Sequence, residues 1–285
     1  MLGPNNYGKA EVRLVRLTRA TDSHDLVDLN VSVALSGALE ATHLTGDNSA
    51  VLPTDTQKNT VYAFAREGVD SPESFGLRLA RHFVDSQPSI HVARVSLEEY
   101  PWRRLGPHSF ARAGAGVRTA TVTYDGTQAW VTAGVSDLVL MNTTDSEFTG
   151  FIADEYTTLA PATDRILATA VDARWRYVSA SPDSSWHELY AVASQAMVGA
   201  FIETYSLSLQ QTLYSMGQTV LDRVPEVVEV RLSLPNRHHF LVDLSPFGQD
   251  NHGQVYFPAD RPYGLIEGNV LREDAPPAGL AWRMS

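Results

Sequence analysis

Four short segments of this 285-residue chain carry side chains able to do chemistry. Tyr7-Gly8-Lys9 sets an amine just before the first strand pattern. Thr54-Asp55-Thr56-Gln57-Lys58-Asn59-Thr60 sets hydroxyls and a carboxylate at a helix start. Free backbone N–H groups and the helix field favour an anion there, and a hydroxyl so placed can hand on a proton. Phe148-Thr149-Gly150-Phe151 precedes Asp154-Glu155-Tyr156-Thr157-Thr158-Leu159 and then Asp164-Arg165, offering an aromatic face and a guanidinium. Leu209-Gln210-Gln211-Thr212 and Pro235-Asn236-Arg237-His238 add amides and an imidazole. Each residue also has a plainer reading. Lys9 is a solvated terminal lysine. Thr54 caps a helix and Asp55 complements its dipole. Arg165 belongs to a surface ion pair, Phe148 to the core, and His238 to an apolar face shared with Phe240 and Val242. Taken one at a time, these plainer readings are the better ones.

Other chemistries are excluded by what is missing. Cysteine is absent, which removes disulfides, thiolate zinc sites, iron–sulfur clusters and thiol catalysis. Gly114-Ala115-Gly116 lacks the third glycine of a dinucleotide loop, and no phosphate loop or His-Glu-x-x-His helix is present. His238 and His239 are adjacent, so on a strand they point to opposite faces and do not chelate one metal. No metal is expected. The net charge of -11, without a Lys/Arg run, argues against nucleic acid as partner. No apolar run approaches the roughly 20 residues of a membrane span. With no apolar N-terminal signal core and no peroxisomal C-terminal address, the expected location is the cytoplasm.

The elements that must position these residues follow from periodicity. Val27, Leu29, Val31, Val33 and Leu35 alternate with polar residues, the mark of a half-buried antiparallel strand. Glu11–Arg19 is a less regular partner. Thr54 to Gln57 has capping-box spacing, and Ser71-Pro72-Glu73 starts a second helix carrying Phe75, Leu79 and Phe83. Strand patterns return at Ile90–Leu97, Val117–Tyr124 and Ala129–Val135. The second half repeats the order. A strand runs through Thr169–Tyr177. A helix begins at Ser185, and another covers about Leu207–Asp222. Then comes a strand through Val228–Leu234, a turn at Pro235-Asn236-Arg237, and a strand from Phe240. The chain therefore reads as two copies of one α+β module, residues 1–136 and 137–285. Sheets backed by helices on one face need a partner surface, which oligomers supply.

Taken together, the segments resemble urate oxidase (uricase) of the bacterial type. The matches run from Tyr7-Gly8-Lys9 through Asp47-Asn48-Ser49, Thr54-Asp55-x-x-Lys58-Asn59-Thr60, Pro107-His108-Ser109-Phe110 and Asp154 to Leu159. They continue through Asp164-Arg165-Ile166-Leu167 and Ser233-Leu234-Pro235-Asn236-x-His238 to Gly264-Leu265-Ile266. The resemblance implies two tunnelling-fold (T-fold) domains per chain, each ββααββ, and a homotetrameric barrel with active sites at subunit interfaces. It implies that Arg165 and Gln210 grip the purine edge, Phe148 stacks on it, and Leu159 and Leu209 line the pocket. Thr54 and Asp55 close the other edge from a neighbouring chain. Lys9, Thr54 and His238 form a proton relay, and Asn236 holds O2 or water. The implied reaction turns urate, O2 and water into 5-hydroxyisourate and hydrogen peroxide without a cofactor. The alternatives are a non-catalytic purine binder, or another purine- or pterin-handling enzyme of this fold. Zero cysteines argue against the zinc-dependent relatives.

Overall fold

The computed structural model describes residues 1–19, 22–114 and 116–283. The middle of Gly114-Ala115-Gly116 and the last two residues of the C-terminal stretch lie outside the described residues. In chain order the elements are β1 (Tyr7–Thr18), β2 (Asp25–Gly37), α1 (Glu40–Thr45), α2 (Thr54–Glu67), α3 (Pro72–Asp85), β3 (Ile90–Glu99), β4 (Trp102–Arg104) and β5 (Phe110–Arg112). Then come β6 (Val117–Tyr124), β7 (Ala129–Asn142), β8 (Leu167–Tyr177), α4 (Trp186–Glu203), α5 (Leu209–Arg223), β9 (Val227–Leu241) and β10 (Tyr256–Leu271). The order ββααββ occurs twice, with α1 and the small β4–β5 hairpin as additions to the first copy.

Eight strands form one antiparallel sheet in the order β1-β2-β3-β6-β7-β8-β9-β10. Leu29, Val31, Val33 and Leu35 of β2 are buried on one face, as the alternation predicts. On that face α2 packs on β1, α3 on β3 and β6, α4 on β7, and α5 on β9 and β10. The buried apolar residues join into one core spanning both halves. The other face is polar: the register lines up Ser32, Ser96, Thr121 and Thr132 on neighbouring strands. Among the described residues, no helix is long and apolar enough to cross a membrane.

Local chemistry sets the helix starts. Ser71 caps α3, its Oγ accepting from the Ser74 N–H at 3.0 Å while Ser74 Oγ accepts from the Ser71 N–H at 3.1 Å. Pro72 follows at the first helical position, and Phe75, Leu79 and Phe83 are fully buried. Ser185 caps α4 through the Glu188 N–H. The expected capping box at Thr54 does not form. Pro53 occupies the cap position, and Thr54 is already the first helical residue, so its hydroxyl is not used as a cap.

The expected turn at Pro235-Asn236-Arg237 is also corrected. These residues lie inside β9, which runs unbroken from Val227 to Leu241. Pairing with β8 lapses opposite Leu234-Pro235 and resumes at Thr169↔Asn236. The missing proline N–H therefore removes a rung and not the strand. Val242, expected on the face of His238, lies beyond the strand.

β7 is the hinge of the sheet in a topological sense. Residues 129–136 pair with β6, and residues 132–142 pair with β8. A bulge lies between Val135 and Leu138, where Asp137 adopts a φ of 52° and its N–H donates to Asp172 Oδ1 at 3.0 Å. Positions 136 and 137 fall at this bulge.

A buried ion cluster ties the two halves together. Arg118 on β6 donates to both carboxylate oxygens of Glu73 on α3, at 3.0 and 2.7 Å. Its other Nη contacts His187 Nδ1 on α4 at 2.9 Å, and its guanidinium lies 4.2 Å from the centre of the Tyr190 ring. Glu73 is fully buried. Glu73→Ala should lower unfolding free energy by about 3–5 kcal/mol, because it removes the two short bonds and leaves the buried guanidinium, as its carboxylate partner, only the longer contact with Glu99, at 3.4 Å. Chemical denaturation of the variant measures this, and Glu73→Gln should fall between the two.

Candidate active site

The candidate residues fall into two groups. The first lies where β1 meets the start of α2. Lys9 pairs with Val33 of β2, just before a bulge in β1. Tyr7 two residues earlier holds the approach to α2, its hydroxyl accepting from the Leu52 N–H at 2.9 Å. The fully buried Gln57 adds a bond from Nε2 to the Leu52 carbonyl at 3.3 Å. The first helical bond runs from Gln57 N–H to Pro53 O, and no side chain caps the residues before it. The N–H groups of Thr54, Asp55 and Thr56 therefore remain to be satisfied, as at any uncapped helix start.

Asp55 accepts from Lys58 Nζ and, at 3.0 Å, from Asn59 Nδ2. The bond from Lys58 chiefly holds its carboxyl below the usual range, and the Lys9 charge adds to this. Lys9, Thr54 and Asp55 are thus brought together. Thr54 is half-buried and, among the described residues, its hydroxyl makes no hydrogen bond.

The second group lies where the loop 143–166 meets α5 and β9. Phe148 clasps this loop through paired backbone bonds with Ala162, at 2.7 and 3.0 Å. Its ring stacks on Phe151 with centroids 5.0 Å apart. The Arg165 guanidinium lies 5.4 Å from the Phe148 ring centroid. Arg165 is oriented by Ser146, whose carbonyl accepts its backbone N–H at 2.9 Å and whose Oγ accepts from Nε at 3.3 Å. Both terminal nitrogens are left for a ligand, with no acid in ion-pair range among the described residues. A guanidinium so presented suits two adjacent acceptors on a flat anion.

Ser146 also bridges to Ser206. Ser206 N–H donates to Asp145 O at 2.9 Å, and its hydroxyl accepts from Thr212 Oγ1 on α5 at 2.8 Å. The Arg165 loop is thereby fastened to the helix that carries Leu209 and Gln210. Ser208 caps that helix, Leu209 is its buried first residue, and Gln210 is exposed. Asn236 is buried on β9 between Thr169 and Gly264. Two residues on, His238 faces the same side and stacks on Phe240 at 5.8 Å. Phe240 is 54% exposed, so this is not a core face. Burial first, then the charges of Arg165 and His239, push the His238 pKa down from its ordinary value. Leu159 is 60% exposed on the loop. Reading the sequence quoted Tyr7 only as a neighbour of Lys9 and did not single out Ser146 or Ser206, small hydroxyls that give no signal before their contacts are known.

The two groups do not meet within one chain. β1 and β9 are separated by six strand-to-strand steps, roughly 29 Å along the sheet at the usual spacing.

A family model for uricase matches residues 5–123 and 131–267. A uricase of Arthrobacter globiformis is 50% identical over 275 residues, covering 96% of this chain and 90% of the relative. A uricase of Danio rerio is 36% identical, covering 94% of this chain and 93% of the relative. The crystal structure of uricase from Arthrobacter globiformis superposes with a TM-score of 0.94 at 49% identity, covering 97% of this chain and 96% of that one.

Arg165 next to His238 gives a pH-dependent prediction. With its folded pKa lowered, His238 binds fewer protons folded than unfolded. Its contribution to stability is complete above its ordinary value of 6.5 and is lost as pH falls below it. NMR titration of the imidazole should place it below 6.5, and Arg165→Gln should move it upward.

Proposed function

The chain belongs to the uricase family and acts on urate with O2 as a urate oxidase, and from that premise we propose how its residues divide the work. Its fold is the α+β tunnelling fold, with ββααββ occurring twice. We read the two domains as residues 1–136 and 137–285, a division at the β7 bulge that falls inside the strand with which the second ββααββ copy begins.

The reading of the site rests on one juxtaposition. Arg165 stands beside the Phe148 ring with its terminal nitrogens free, on a loop fastened to the helix start that carries Gln210. Arg165 binds the purine anion with two parallel N–H bonds. Gln210 offers one donor and one acceptor to the neighbouring lactam edge. Phe148 stacks on the ring. Leu159 and Leu209 line the pocket. Asn236 holds O2, and later water, above the purine plane.

Urate gives two electrons to O2, which takes up two protons and leaves as hydrogen peroxide. The oxidised purine then adds hydroxide from water at the carbon that becomes the alcohol of 5-hydroxyisourate. Atoms balance as urate, O2 and water in, 5-hydroxyisourate and peroxide out. The electrons come from the substrate anion itself, so holding the reactants in place carries the chemistry and no cofactor is assigned. Protons leave the purine and reach the reduced oxygen through Lys9, Thr54 and His238. The Thr54 hydroxyl, not used as a helix cap, is free for this task.

Lys9, Thr54 and Asp55 come from a second copy of the chain. Support lies in the separation of the two groups and in the unpaired outer edges of β1 and β10. Exposed Val15 and Leu17 on β1, with Phe257 and Leu265 on β10, make those edges templates for further strands. We infer that copies join at these edges, that the sheets close into a barrel, and that four chains form the working tetramer. The acidic charge and absence of cysteine fit a place in the bacterial cytoplasm.

Aerobic incubation with urate should consume urate and form peroxide one for one, with a chelator making no difference. Arg165→Ala should weaken urate binding by about 10- to 100-fold, the scale of a charged hydrogen bond. Thr54→Ala and Lys9→Met should lower kcat by about 100-fold or more with little change in binding. Refolding an equal mixture of the Arg165→Ala and Lys9→Met chains should restore about a quarter of wild-type turnover, since half the pairs are mixed and each mixed pair holds one intact site. A mixture as inactive as its components would place the whole site in one chain.

A further inference from the structure

We propose that the polar face of the sheet carries a second anion site, built by Arg94 on β3 and Arg174 on β8, that takes a small oxyanion of the phosphate or sulfate type. Between these strands lie Thr121 of β6 and Thr132 of β7, paired with each other and facing the same side. Arg94 and Arg174 reach toward one another over them and border the same two hollows, of about 470 and 180 Å³.

Neither arginine has an acidic partner within ion-pair range among the described residues. One terminal nitrogen of Arg94 is shut away from solvent without a hydrogen-bond partner. A guanidinium stays charged and can only donate, so such a nitrogen calls for an acceptor. Burial and the nearby Arg174 charge both act against the charged form of Arg94. Two like charges held together in this way are relieved by an anion with several acceptor oxygens.

The acids of this face are engaged or set apart. Glu98 accepts from Asn30 Nδ2 and the Tyr100 hydroxyl. Asp172 accepts from the Asp137 N–H. Glu11 borders the smaller hollow and Glu267 the larger, and neither is paired with Arg94 or Arg174. The third arginine, Arg231, is committed to Glu229 at 2.8 Å and to the Trp282 ring at 4.1 Å. Arg94 and Arg174 stand on interior strands, so strands added at β1 or β10 leave this face open. The Thr121 hydroxyl borders the same concavity and can donate to a remaining oxygen, while the Thr132 hydroxyl is spent on the Thr121 carbonyl at 3.5 Å.

The test is calorimetric titration of the active assembly with inorganic phosphate at fixed ionic strength, the balance made up with sodium chloride. The expected result is saturable binding of one phosphate per chain. Arg94→Gln and Arg174→Gln should each weaken it at least tenfold while leaving urate turnover at the wild-type level, and Arg165→Ala should leave it unchanged. Arg174 is exposed, so its variant decides the matter if Arg94→Gln fails to fold. Absence of saturable binding, or equal binding in the Arg174→Gln protein, would overturn the site. Phosphate binding lost in Arg165→Ala but kept in Arg174→Gln would place the ion in the catalytic pocket and overturn it equally.

Discussion

The whole arrangement depends on one continuous strand, β7, that carries a hydrogen-bonded ladder on each side. This strand satisfies β6 with its first part and β8 with its last, and the bulge at Ser136-Asp137 absorbs the change of register. A sheet so joined has one apolar face to cover, and four of the five helices cover it as a single core. The Arg118 cluster then fixes how α3 and α4 sit across the join. A buried guanidinium is tolerated only with its partners in place, so the cluster penalises any other docking of the halves. The same continuity fixes β1 and β10 as far-separated edges, and with them the two groups of candidate residues.

Much of this was legible in the residues. The alternation in β2, the Ser71-Pro72 start and the Phe75, Leu79 and Phe83 spacing of α3 are local patterns enforced by burial of one face, and they survive folding. Signals failed where context outranked local preference. Pro235 reads as a turn, yet losing one rung is cheap beside keeping β9 between two neighbours. β10 carries Pro258, Pro262, Gly264 and Gly268 and is mostly exposed, so an edge strand gave no alternation to read. α1 buries no residue at all. Thr54 carried a correct helix signal with the cap misplaced by one residue, and that single residue changes a structural hydroxyl into an available one.

The site was less legible than the fold. Arg165, Phe148, Gln210 and His238 are separately ordinary, and only the ordered set of motifs marked them out. The structure brings Arg165, Phe148 and His238 together, and it brings Lys9, Thr54 and Asp55 together elsewhere. What no pattern in the residues announced was the supporting layer. Ser146 and Ser206 hold Arg165 and α5 in register by hydroxyl and backbone bonds between segments about 60 residues apart in the chain. Net charge was equally uninformative: a chain at -11 still concentrates Arg94, Arg174 and Arg231 on one polar face.

The strand order of the main sheet follows the order of the sequence from one edge to the other. A chain emerging from the ribosome N-terminus first therefore never waits for a later segment before its next strand can dock. Each new strand meets a neighbour already made, and no loop must be threaded or strand displaced. Synthesis thus builds the sheet as a growing front, and the front is always a fresh unpaired edge. The hazard during synthesis on crowded polysomes is accordingly pairing between two unfinished chains at that front, and it persists until β10 is released.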